Sequence, residues 1–137
     1  MNIIHKIAAV VIKDNQFLLV RKVGKDIWTN LGGKPETGET EEQALIREIK
    51  EEMGCTGVVK LKLGDFEAKA VFDDAIVRLS TYLVDLEGTI EFNDPELEEY
   101  RFFSETELMN VKIPDSVKNH MIPFCIKNNF LDWPNFK

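Results

Sequence analysis

Three glutamates stand at a spacing that can do chemistry. In Arg47-Glu48-Ile49-Lys50-Glu51-Glu52 the carboxylates fall at i, i+3 and i+4, which places Glu48, Glu51 and Glu52 on one face of a helix. Like charges held so close repel one another and resist ionising together. A hard divalent cation removes that penalty, and a set of oxygen donors suits magnesium or manganese. The plainer alternative is a solvated acidic helix face, the usual meaning of a charge run. The flanking residues favour the chemical reading. Gly32-Gly33 precedes the run, and a loop of this kind bends closely enough to aim backbone carbonyls and amides at a ligand. Arg47 can pair with Glu51 at i+4 or with Glu39 from the preceding loop.

The elements that must position these groups are legible around them. Thr40–Met53 reads as a helix. Thr40 is a good N-cap, Gln43 completes a capping box, Glu41 and Glu42 suit the positive end of the helix dipole, and Gly54 is a stop signal. Leu45, Ile46, Ile49 and Met53 form its apolar stripe, beside the acidic face. Upstream, Ile7–Ile12 and Phe17–Val23 read as a β-hairpin, and the unalternating first run suits a sheet covered on both faces. Gly24–Gly38 is loop-like. Downstream, Val58–Leu63, Phe66–Phe72 and Ala75–Leu86 read as strands, the last two joined at Asp73-Asp74. Glu99–Phe103 is a short strand, Ser104 caps a brief helical turn, and Pro114–Lys127 reads as a closing helix bent or broken at Pro123. Asn128–Lys137 is apolar enough to dock on the body. The expected fold is α/β: a mixed β-sheet with the Thr40–Met53 helix on one side and the C-terminal helix on the other, in a single domain over residues 1–137.

Gly33, Glu39, Arg47, Glu48, Glu51, Glu52 and Gly54, with Ile49, resemble the Nudix box: a glycine, five residues, Glu, seven residues, then Arg-Glu-U-x-Glu-Glu-x-Gly-U, where U is aliphatic. Cys55 departs mildly from the last aliphatic position. The resemblance implies a Nudix-type α/β/α sandwich and a metal-dependent hydrolase of pyrophosphate bonds. It implies that Glu48, Glu51 and Glu52 bind magnesium, or manganese in its place, with the Gly32 carbonyl as a backbone ligand. It implies that Arg47 and Glu39 orient the carboxylates and that Glu48 accepts the proton of the attacking water. A further downstream Glu often completes such a site. Here Glu96 is the best match and Glu99 the runner-up, each with the alternative of an exposed acidic loop.

Lys34, Arg21 and Lys22 lie near the expected phosphate path, although each alone is more often a surface cation than a ligand. Asp115 or Ser116, in Ile113-Pro114-Asp115-Ser116, stands where MutT-type members read a base, or else simply starts the last helix. A proline about sixteen residues past the box marks many ADP-ribose hydrolases, and a tyrosine there marks dinucleoside-polyphosphate hydrolases. Val71, Phe72 and Asp73 occupy that region instead. The chain is therefore most similar to the MutT-type nucleoside-triphosphate pyrophosphohydrolases, some of which prefer oxidised purines and which release a monophosphate and pyrophosphate. The alternatives are a hydrolase of another nucleoside diphosphate derivative (ADP-ribose, a dinucleoside polyphosphate or a nucleotide sugar) and a non-catalytic binding module of the same fold.

Composition bounds the partners. A net charge of −7 repels polyanions at long range, so a large nucleic-acid interface is not expected. The partner is a small nucleotide, met by local cations or a metal. Cys55 and Cys125 form no metal-spaced cluster and read as buried thiols of a reducing compartment, while His5 and His120 read as structural or surface residues. The apolar run Ile7–Ile12 is too short to span a bilayer. A cytoplasmic location and no membrane partner are the expectation.

Overall fold

The run expected as one strand near the N-terminus is shared between two sheets. In the computed structural model, which describes residues 2–70, 72 and 74–137, β1 spans Ile3–Val10 and β2 Ile12–Lys13. The chain crosses from sheet to sheet at Val11, and Ile7–Val11 are buried throughout. In the first sheet β1 pairs antiparallel with β5 (Leu31–Gly33) and parallel with β7 (Ile76–Glu87). β6 (Thr56–Lys69) pairs antiparallel with β7, so the order is β5-β1-β7-β6. In the second sheet β2 turns into β3 (Gln16–Lys22) through Asp14 and Asn15, both at positive φ, as a tight hairpin requires. β4 (Trp28–Thr29) and β8 (Leu97–Phe103) also pair with β3. The expected hairpin is thus real only at its tip, because β1 takes its partners from elsewhere.

Strand alternation then sorts the core into two layers. Ile7 and Ala9 of β1, with Leu18 and Val20 of β3, face the helix α1 (Glu41–Met53). Ala8 and Val10, with Phe17 and Leu19, face the C-terminal helices and Trp133. This is an α/β/α sandwich. Within α1, Leu45, Ile49 and Met53 are fully buried, worth about 1.5–3 kcal/mol each relative to exposure. Ile46, expected in the same stripe, is 41% exposed. The ends of α1 are as the sequence dictates. Thr40 caps it in a reciprocal capping box with Gln43, and Gly54 closes it at φ 67.

Two further expectations are modified. The strands expected at Val58–Leu63 and Phe66–Phe72 are one strand, β6, with register shifts at Val59/Leu61 and Lys62/Gly64 that break its alternation. The join expected at Asp73-Asp74 involves Asp73, which with Met1 and Val71 lies outside the described residues. The closing helix does not break at Pro123. Ser104 caps α2 (Glu105–Leu108), and then a π-helical segment, Ser116–Met121, runs into α3 (Ile122–Lys127). Proline donates no N–H and crowds the turn before it, and a widened turn just upstream accommodates both. The tail docks as expected, with Leu131 and Trp133 buried and Trp133 Nε1 donating to the Asn15 carbonyl at 2.9 Å. No helix among the described residues is long and apolar enough to cross a membrane.

The first turn of α1 is fastened to the first sheet by a polar cluster. Glu41 accepts from the Tyr82 hydroxyl at 2.6 Å and the Ser80 hydroxyl at 2.7 Å, and Lys62 Nζ and His5 Nε2 lie 3.3 and 3.0 Å from its oxygens. Burial acts to raise the Glu41 pKa, but the hydrogen bonds from Tyr82, Ser80 and Lys62 outweigh it and hold the carboxyl at about 2. A depressed carboxyl stabilises the fold above its unfolded pKa, and that contribution is lost as pH falls through the folded value. Glu41→Gln is therefore expected to cost about 1–2 kcal/mol at pH 6–7, since the bonds lost are made to a charged group. Denaturant titrations should show the gap from wild type closing between roughly pH 4.5 and 2. A gap constant across that range would contradict this account of the cluster.

Candidate active site

The site forms where α1 leans its acidic face on the backbone of β5. Gly32 N–H donates to Glu52 Oε1 at 2.9 Å. Gly32 sits at φ 143, where a Cβ would lie 2.0 Å from the Ile7 carbonyl oxygen. A Cβ on Gly33 would lie 2.5 Å from Glu48 Oε1. At Gly33 the missing side chain is thus the space the Glu48 carboxylate occupies, whereas at Gly32 it leaves room for the Ile7 carbonyl. Glu52 is only 9% exposed. Burial pushes its pKa up to about 8, aided by the charges of Glu48 and Asp94 and opposed by the Gly32 amide and Lys22. Burial likewise raises the Glu48 pKa, against the pull of Arg47.

Arg47 ties helix to loop. Its Nε and Nη2 donate to the two Glu39 oxygens at 2.7 and 2.9 Å, a bidentate pair, and Nη2 also donates to the Lys34 carbonyl at 3.2 Å. Its Nη1 lies 3.0 Å from Glu48 Oε1 and 3.4 Å from Glu51. Glu39 Oε1 accepts in addition from the Glu36 amide at 2.7 Å. The hydrogen bond from Arg47 and that amide hold the Glu39 carboxyl below its ordinary range.

A cavity of about 400 Å³ opens beside these groups. Glu48, Glu51, Glu52, Gly32 and Glu96 line it, together with Lys22 and Ser116. Glu39 and Arg47 stand behind it. Arg21, Lys34 and Asp115 do not line it. Arg21 alternates with Val20 and Lys22 along β3, so it points to the opposite face, where it pairs with Glu99 at 2.8 Å. That pairing also takes Glu99 away from the cavity, leaving Glu96 as the downstream glutamate there. The Lys34 carbonyl serves Arg47, and Asp115 precedes the π-helical segment without a side-chain capping bond.

Asp94 was not singled out in the sequence. It lines the cavity, accepts from the Glu96 amide at 2.9 Å, and adds negative charge against Glu48 and Glu52. Asn93-Asp94-Pro95 carries only a turn signal, and its nearness to Glu96 was the sole pointer. Lys6 and Leu79, which also line the cavity, are brought there by the pairing of β1 with β7, and Phe72 by the connection between β6 and β7; neither has a local signature.

The donor chemistry fits a hard divalent cation: an all-oxygen set, with repulsion among Glu48, Glu52 and Asp94 that such a cation relieves. Among the described residues, no three acidic, histidine or cysteine side chains stand as a ready ligand cluster. Glu48 and Glu51 are drawn to Arg47 instead, and Glu51 is 54% exposed on its side chain.

The model of the NUDIX domain family matches residues 4–123, and the chain belongs to that family. Among its relatives is the CTP pyrophosphohydrolase of Escherichia coli (strain K12), 29% identical over 99 residues, 69% of this chain and 72% of that one. An oxidized purine nucleoside triphosphate hydrolase of Danio rerio is 34% identical over 65 residues, 47% of this chain and 42% of that one. The crystal structure of a UDP-X diphosphatase superposes with a TM-score of 0.80 at 20% identity, covering 96% of this chain and 68% of that one, and so shares the fold. The chain is a hydrolase acting on pyrophosphate bonds, and the reading as a non-catalytic module falls. Hydrolases of this family use divalent metals and act on small nucleotides.

The buried Glu52 gives a test with a definite sign. A carboxyl raised to about 8 stabilises the metal-free fold most fully below its unfolded pKa, and loses that contribution as pH rises from about 4.5 through 8. Glutamine mimics the protonated acid. Metal-free Glu52→Gln should melt with wild type near pH 5 and a few degrees above it near pH 8, while turnover falls by about a hundredfold or more. Scanning calorimetry in chelator, beside an activity assay, measures both. A variant that melts lower at pH 8 would contradict the assignment of Glu52 as a strained buried carboxyl.

Proposed function

We propose that the protein hydrolyses a nucleoside triphosphate with magnesium, or manganese in its place, releasing a nucleoside monophosphate and pyrophosphate. The observation that carries this reading is the cavity itself. The α1 carboxylates line it together with Leu79, Phe72, Pro114 and the hydroxyl-bearing Ser116, and its volume of about 400 Å³ suits a small nucleotide. Glu48, Glu51, Glu52 and Glu96, joined by Asp94 and the Gly32 carbonyl, are the groups that would hold the cation. When bound, it supplies neutralising charge at the phosphates and acidifies water.

The chain's own groups do the rest. Water attacks phosphorus in line, and its proton passes to Glu48, whose burial gives it the proton affinity a base needs. Arg47, anchored on Glu39, keeps Glu48 from turning away. Lys22 faces the phosphate charge, and Ser116, rather than Asp115, hydrogen-bonds an edge of the base. The names of the relatives make CTP and oxidised purine triphosphates the first substrates to try. Buried Cys55 and Cys125 suit a reducing compartment, and we assign the enzyme to the cytoplasm.

The test is a panel of CTP, ordinary and oxidised purine triphosphates, ADP-ribose, a dinucleoside polyphosphate and a nucleotide sugar, assayed with magnesium. Phosphate should appear only when inorganic pyrophosphatase is added, and a triphosphate should be the fastest substrate. Faster turnover of ADP-ribose or a sugar nucleotide would replace this reading with that of a diphosphate-derivative hydrolase. On the best substrate, Glu96→Gln should lower kcat by about a hundredfold, and Glu99→Gln, which only loosens Arg21, should stay near wild type. The reverse order would move the downstream carboxylate to Glu99.

A further inference from the structure

We propose that Phe72 is a positioning residue for this hydrolysis, its ring holding the Lys22 ammonium at the phosphate end of the cavity. The inference rests on the reading of Lys22 as a phosphate-facing cation. Phe72 lies in the connection between β6 and β7, on the first sheet, whereas Lys22 ends β3 in the second. Lys22 Nζ is 5.0 Å from the Phe72 ring centroid, and Lys25 Nζ is 5.3 Å from it. Both distances lie within the range of cation–π attraction. Lys22 and Phe72 line the same cavity as Glu48, Glu51 and Glu52, so the contact spans from one sheet to the other beside the carboxylates.

Lysine carries its charge on a flexible four-carbon stem and loses rotamer freedom whenever it is held in one place. A ring that prefers the ammonium over its face reduces that loss before substrate arrives. An aromatic ring at 42% exposure beside a nucleotide cavity would otherwise suggest base stacking. Here two ammonium groups already lie against the ring, which commits it to the phosphate side of the substrate.

The two roles separate experimentally. Phe72→Leu keeps apolar bulk and removes the ring; Phe72→Trp keeps an aromatic face. Both are compared with Lys22→Met and with the Phe72→Leu/Lys22→Met double variant, using CTP, GTP and, as a competitive inhibitor without a base, inorganic tripolyphosphate, all with magnesium. Phe72→Leu should raise KM for both nucleotides by about two- to fivefold and raise the inhibition constant of tripolyphosphate by the same factor, with kcat changed less. Phe72→Trp should restore both values. In the Lys22→Met background, where Lys25 still docks on the ring, Phe72→Leu should add nothing. A Phe72→Leu effect that differs between CTP and GTP, spares tripolyphosphate or persists without Lys22 would overturn the inference and make the ring a base platform. A Lys22→Met variant with unchanged KM would remove the phosphate role of Lys22 and this inference with it, while leaving the pyrophosphohydrolase reading intact.

Discussion

The site depends on the absence of two side chains. At Gly32 and Gly33 the edge of the first sheet presents bare backbone to α1: the Gly32 amide donates to the Glu52 carboxylate, and the Glu48 carboxylate fills the space beside Gly33. Nothing larger fits without moving something. At Gly32 the obstacle is the rigid Ile7 carbonyl, while at Gly33 it is the end of the Glu48 side chain itself. The first glycine therefore preserves the strand pairing, and the second preserves the position of the Glu48 carboxylate. This division explains how one short β-strand can serve both fold and chemistry.

Placing carboxylates there works against stability in the metal-free protein. Glu52 is buried with one amide partner and two negative neighbours against the single cation Lys22, and burial pushes its pKa up to about 8, so the site resists its charge. Arg47 offsets part of the repulsion by standing between Glu48 and Glu51 while gripping Glu39. A cation would take over much of that task. The polar cluster around Glu41, at the other end of the same helix, acts in the opposite sense. There a carboxylate is held ionised and anchors the first turn to the sheet. One helix thus carries a stabilising carboxylate at its start and strained ones near its end.

What could be read from the sequence was local. Thr40, Gln43 and Gly54 fix the limits of α1 through bonds within a few residues, and the spacing of Glu48, Glu51 and Glu52 follows from the helix alone. The family likewise follows from residues in that one stretch. What escaped was set by pairing between distant segments. The crossing at Val11 depends on β1 finding β7 and β5. The unity of β6 depends on register shifts against β7 that erase its alternation. Arg21, one of three cations near the expected phosphate path, is turned toward Glu99 by its place in β3, and Asp94, in a segment with only a turn signal, lines the cavity from the loop before β8. Pro123 announced a disturbance in the last helix, but not that a wide turn upstream would absorb it.

The most direct test of this account is a Gly33→Ala variant followed by calorimetric titration with manganese and by steady-state kinetics. The glycine has no positive φ to protect, and the atoms nearest the added methyl are the flexible end of Glu48, so the melting temperature should barely change. The account predicts that kcat/KM nevertheless falls by about a hundredfold and that manganese binds more weakly, because Glu48 has been pushed from its place. A variant with wild-type melting, metal affinity and turnover would show that the Glu48 carboxylate need not rest on that bare backbone, and the central claim would be wrong.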